Sequence, residues 1–115
     1  MHDALEITSH AGPPGVQVHR LAGRLDSRST PRFVRECPPP AGPGSIVVVN
    51  LAGLTFISSS GVGSLLAHSE QARESGAEFR LAELPTVVMN TLNLLNLGEY
   101  LNVYATEAEA TRRAA

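Results

Sequence analysis

Three consecutive hydroxyls, Ser58, Ser59 and Ser60, stand directly before Gly61-Val62-Gly63, and their types and spacing invite chemistry. One serine at a helix entry is enough to accept a hydrogen bond from an otherwise unpartnered backbone N–H, worth about 1 kcal/mol. Three leave hydroxyls to spare on a turn where glycines let another backbone come close. A phosphate there would carry about 1.5 to 2 negative charges at the positive end of the helix dipole, so the fold itself would tolerate it. A partner docked over the turn would not, because burying or opposing that charge is costly. The pattern suits a protein-binding turn that phosphate can switch off.

Catalytic constellations are poorly supported. The aspartates are Asp3 and Asp26 and the histidines His2, His10, His19 and His68, with neither H-x-x-x-H nor C-x-x-C spacing, so no metal site is expected. Gly61-Val62-Gly63 begins a dinucleotide fingerprint, but Leu66 stands where its third glycine belongs, and there is no Gly-Lys pair of a P-loop. The serines do not form G-x-S-x-G. His68 reads as a partly exposed helix residue rather than a base, and Cys37 as a packing residue rather than a redox centre. The chain is expected to be no enzyme and to use no cofactor.

The composition excludes other classes. In 115 residues the formal charge is −2, and the nine basic residues are arginines scattered along the chain, without the clustering or aromatic platforms of a nucleic-acid binder. No apolar run reaches the ~18 residues of a membrane-spanning helix. A single cysteine and an N-terminus without signal-peptide character point to the cytoplasm. One domain over residues 1–115 fits the length; the oligomeric state, monomer or weak dimer, is left open.

The elements that must position the serines follow from periodicity. Leu5–Thr8 and Val16–Leu21 alternate as strands about a Gly-Pro turn. Thr30-Pro31 opens a short helix, with Thr30 as cap, that ends by Cys37-Pro38-Pro39-Pro40; Pro38–Gly44 reads as a stiff surface loop. Ile46–Leu51 is apolar on both faces, as a central strand should be, and is separated by Ala52-Gly53 from a second apolar stretch, Leu54–Ile57. A helix runs from the serines to about Ser75, stopped by Gly76. Ala77–Leu81 is a strand. A helix begins at Pro85 with Val88, Leu92 and Leu95 on its core face, Leu94 and Leu97 on a neighbouring one, and Gly98 as its stop. Leu101–Tyr104 is a last strand, and a closing helix starts near Thr106 with Arg112-Arg113 in its final turn. This order, β-β-α-β-α-β-α-β-α, predicts an α/β fold: a mixed β-sheet covered mainly on one side by α-helices.

The stretch Asn50-Leu51-Ala52-Gly53-Leu54-Thr55-Phe56-Ile57-Ser58-Ser59-Ser60-Gly61-Val62-Gly63-Ser64-Leu65-Leu66 closely resembles the signature of the STAS family, the sulfate-transporter and anti-sigma-factor-antagonist domains. Gly23-Arg24-Leu25-Asp26 resembles the family's Gly-x-Leu-Asp before its first helix, and Ala82-Glu83-Leu84-Pro85-Thr86-Val87-Val88 its last strand-to-helix junction. The likeness runs from Leu5 to about Ala108. It implies a stand-alone anti-sigma factor antagonist whose partner is an anti-sigma factor with serine kinase activity. It also implies that the phosphoacceptor falls on Ser59, with Asp26, Ser58, Ser59, Ser60, Gly61, Val62 and Gly63 at the partner surface. Two positions depart from the pattern. Ser58 stands where an acidic residue usually precedes the acceptor, and Asn50 replaces a common strand-end Asp. The first favours an alternative, an unphosphorylated adaptor or scaffold subunit of a sensory complex or lipid-transport ATPase.

Overall fold

A computed structural model describes residues 5–112. The elements are β1 (Leu5–Ala11), β2 (Val16–Leu25), α1 (Thr30–Glu36), β3 (Ile46–Ile57), α2 (Ser59–Ser75), β4 (Glu78–Ala82), α3 (Thr86–Leu94), β5 (Asn102–Tyr104) and α4 (Glu107–Ala110), in the order expected. They build one five-stranded sheet in the order β1-β2-β3-β4-β5. The four-residue turn after β1 brings β2 back antiparallel, whereas each later strand is reached through a helix and so runs parallel to its neighbour.

β3 carries the core because it is apolar on both faces. Val47, Val49 and Leu51 pack with Leu21, Leu25, Phe79 and Leu81 beneath Phe33 of α1, Val62, Leu65 and Ala72 of α2, and Val88 and Leu92 of α3. On the other face Val16, Val18, Ile46, Val48 and Ala82 form a smaller apolar cluster with Ala110 of α4, against which Tyr104 packs. The mixed sheet is thus covered mainly on one side, as expected.

Several boundaries differ from the sequence reading. β3 does not pause at Ala52-Gly53. It continues alongside the end of β2 through two register shifts, and Gly53 lies where a Cβ would come within 2.8 Å of the Ala22 Cβ and 2.9 Å of the Leu21 carbonyl oxygen. That glycine lets two strands pass closely instead of ending one of them. β1 and β2 are both longer than the alternating segments that announced them, and β4 and β5 each begin one residue later.

The helix ends hold the remaining corrections. Ser29, not Thr30, occupies the N-cap position of α1; Thr30 is already helical, and its hydroxyl donates to the Asp26 carbonyl at 2.7 Å. α3 stops at Leu94 because Asn96 takes the left-handed conformation (φ 58°), ahead of Gly98. The reversal leaves Leu95 51% exposed and folds Leu97 back against the core, the opposite of what the helical stripe suggested. α4 is a single turn; Arg112 lies beyond it, and Arg113 lies outside the described residues. His68 is fully interior, stacked on Phe33 and edge-on to Phe79, with Nε2 donating to the Cys37 carbonyl at 2.7 Å. Cys37 is buried as expected, and burial pushes its thiol up to about 12. Among the described residues no helix is long and apolar enough to cross a membrane, and no group of three His, Cys, Asp or Glu residues is placed to hold a metal.

Candidate functional site

The serine run sits where β3 hands over to α2, and main-chain contacts set its position. Ile57 is in register with Leu25, the last residue of β2, and the Ser58 N–H donates to the Leu25 carbonyl at 2.9 Å. Three residues on, Gly61 packs against that same carbonyl. A Cβ there would come within 2.7 Å of the Leu25 oxygen and 2.8 Å of Ile57 Cγ1, so only glycine lets the first turn of α2 lie so close to the sheet.

Within the turn the serines divide their work. Ser58 is extended (φ −97°, ψ 175°) and caps α2: its Oγ accepts from the Gly61 N–H at 3.3 Å and its carbonyl from the Val62 N–H at 2.9 Å. Ser59 and Ser60, the first two helical residues, are exposed. Gly63 is exposed as well, with open space where a Cβ would stand. Gly61 and Val62 turn the other way, Val62 into the core at 3% exposure, so they hold the turn rather than face outward. The first turn of α2, a helix of 17 residues, contains no acid. Its exposed hydroxyls therefore stand at the uncompensated positive end of the helix dipole.

Asp26 follows Leu25 directly and so lies at the same end of the sheet. Its carboxylate is already engaged: Oδ1 accepts from the N–H groups of Arg28 at 3.0 Å and Ser29 at 3.2 Å and from Ser29 Oγ at 3.3 Å, and Oδ2 lies 3.5 Å from Arg24 Nε. Burial pushes its pKa up, but the hydrogen bonds from Ser29, Arg28 and Arg24 outweigh this and hold it below the ordinary value of 3.8. Asp26 shapes the passage from β2 into α1. Sequence reasoning missed Arg24, whose guanidinium lies 4.2 Å over the Phe56 ring in the adjoining register position. Only the pairing of the two strand extensions brings these residues together, and the apparent break at Ala52-Gly53 hid it.

A family model described as STAS domain matches residues 9–110. No curated protein matches the chain. Among solved structures, an anti-sigma factor antagonist from Mycobacterium paratuberculosis is 22% identical over 91% of each chain, with a TM-score of 0.69. The anti-sigma factor antagonist SpoIIAA in its unphosphorylated form is 22% identical over 91% of this chain and 92% of its own, at 0.73. The phosphorylated form of SpoIIAA from Bacillus gives 21%, 91%, 96% and 0.68 on the same measures. A sulfate transporter family protein from Wolinella succinogenes is 17% identical over 89% of this chain and 86% of its own, at 0.71. At these identities the likeness is one of fold.

Proposed function

The chain belongs to the STAS domain family, and from that membership and the geometry of the serine turn we propose that it is an anti-sigma factor antagonist acting in the cytoplasm as one domain over residues 1–115. Its partner is an anti-sigma factor with serine kinase activity, and it has no catalysis of its own. Ser59, Ser60 and Gly63 form the centre of the docking surface; Ser58, Gly61 and Val62 fix its shape, and Asp26 borders it. Ser59 receives the phosphoryl group: its Oγ–P bond forms as the β–γ phosphoanhydride bond of the partner's ATP breaks, ADP leaves, and the hydroxyl proton passes to a base on the kinase. The solved structures of SpoIIAA in both forms support this reading by analogy.

The observation that carries it is a free hydroxyl at the positive end of α2, on a turn pinned to the sheet through backbone. A phosphate there needs no refolding, yet it places charge in the middle of a contact that must be desolvated. Ser59→Ala should bind the anti-sigma factor with native affinity, and Ser59→Asp should bind about two orders of magnitude more weakly, both read by calorimetry. Equal affinities for the two variants sink the switch. Incubation with the kinase and ATP, followed by mass spectrometry, should find phosphate on Ser59.

One observation favours the unphosphorylated adaptor. Ser58 meets the capping demand with a neutral hydroxyl and supplies no charge beside the acceptor. Co-purification with a transporter ATPase or a multi-subunit particle, in place of a kinase-like protein, would select that reading.

A further inference from the structure

At the opposite end of the sheet, where β2 and β3 begin, an open cavity of about 670 Å3 lies between the strands and the loop that follows α1. β2 is ten residues long, so about 30 Å separates this end from the serine turn. The volume lies within the range of small-molecule sites. Pro38, Pro39 and Pro40 line one side, and Val47 and the buried His19 line the sheet side.

The polar atoms left open there define a ligand chemistry. His19 is 5% exposed, and its Nδ1 shares a hydrogen bond of 2.7 Å with Ser9 Oγ, so Nε2 remains to bond a guest. The Gln17 amide nitrogen donates to the His10 carbonyl at 3.0 Å, which leaves Oε1 as an open acceptor. Burial and the nearby His68 and His10 hold His19 below its ordinary pKa, so the imidazole offers a hydrogen bond at neutral pH and no charge. Among the described residues no arginine lines the cavity, and the chain has no lysine. The acid at the rim, Glu36, is paired with Arg32 at 2.8 Å. An anion would find no cation here, and a cation would find a carboxylate already taken.

We propose that this cavity binds a small uncharged molecule with a flat apolar body and an amide-type donor and acceptor. The body lies against the prolines and Val47, and the amide bonds His19 Nε2 and Gln17 Oε1. This site is independent of the Ser59 reading.

Benzamide and benzoate are nearly isosteric and differ in charge, so together they test the chemistry on the full chain. Followed by two-dimensional 15N–1H spectra at pH 7, benzamide should shift the signals of Gln17, His19 and Val47 with a Kd on the order of millimolar, and leave Ser59 to Gly63 unmoved. Benzoate should bind at least about tenfold more weakly. His19→Phe should weaken benzamide about fivefold, and Gln17→Leu, on a half-buried side chain, serves if that variant does not fold. Absence of shifts at about 10 mM benzamide overturns the proposal. So do equal affinity for benzoate, or native affinity in whichever of the two variants folds.

Discussion

Gly61 and Gly63 stand two positions apart in the first turns of α2 and face opposite environments. At Gly61 an added methyl meets a backbone oxygen at 2.7 Å that cannot move without disturbing the end of β2. Gly61→Ala should therefore lower stability by about 1–3 kcal/mol, seen as an earlier midpoint in urea unfolding. At Gly63 the added methyl meets nothing, and Gly63→Ala should raise stability by about 0.5–1 kcal/mol through helix propensity alone. Opposite signs from one substitution type would separate close packing from local preference. The serine run was legible in sequence because three hydroxyls before glycines exceed what a cap needs. The buried state of His68 was legible only in part: it is three residues after Leu65 and four before Ala72, on the core face, but a titratable side chain argues for the surface until Phe33, Phe79 and the Cys37 carbonyl are seen around it.

At the level of elements, α4 shows how a helix too short to persist alone is held in place. Glu107 accepts from Arg20 Nε and Nη2 at 2.9 and 2.8 Å and from Asn50 Nδ2 at 2.9 Å, while its own N–H donates to Glu83 at 2.9 Å. At the far end Arg80, buried beneath the helix, donates to the Ala110 and Arg112 carbonyls at 2.9 and 2.7 Å. The bonds from Arg20, over the opposing effect of burial and with the help of Asn50, bring the Glu107 carboxyl down to about 2. Glu107→Gln should leave the rest of the fold intact and speed amide exchange over residues 107–112 by about tenfold, measured by hydrogen–deuterium exchange. The sequence announced this helix through Thr106 and the acids after it, and overestimated its length from the arginines. What ends it is Arg80, some 30 positions away, and no local pattern reports such a partner. The end of α3 was misjudged for a related reason: Asn96 reaches the left-handed region before the more obvious glycine does.

For the molecule as a whole, the order of elements and the one-sided cover could be read from alternating periodicities, whereas strand register and the ties between distant residues could not. Those ties set the response to acid. His19 and His68 both have folded pKa values below the ordinary 6.5, mainly through burial, and the His68 Nδ1 atom has no partner to donate to if protonated. The unfolded chain thus takes up protons that the fold refuses, so stability is full above about pH 6.5 and declines as pH falls below it. The contribution of Glu107 is present above its ordinary 4.5 and is lost only as pH falls toward about 2, so it does not enter this window. Urea midpoints should be lower at pH 5.5 than at pH 7.5, and His68→Phe should reduce the difference, leaving the part due to His19. The contact between Leu25 and the start of α2 has a last consequence. Because main chain grips main chain there, residues 59 and 60 resemble type in a fixed printing frame: exchanging their side chains rewrites the message while the page stays in register.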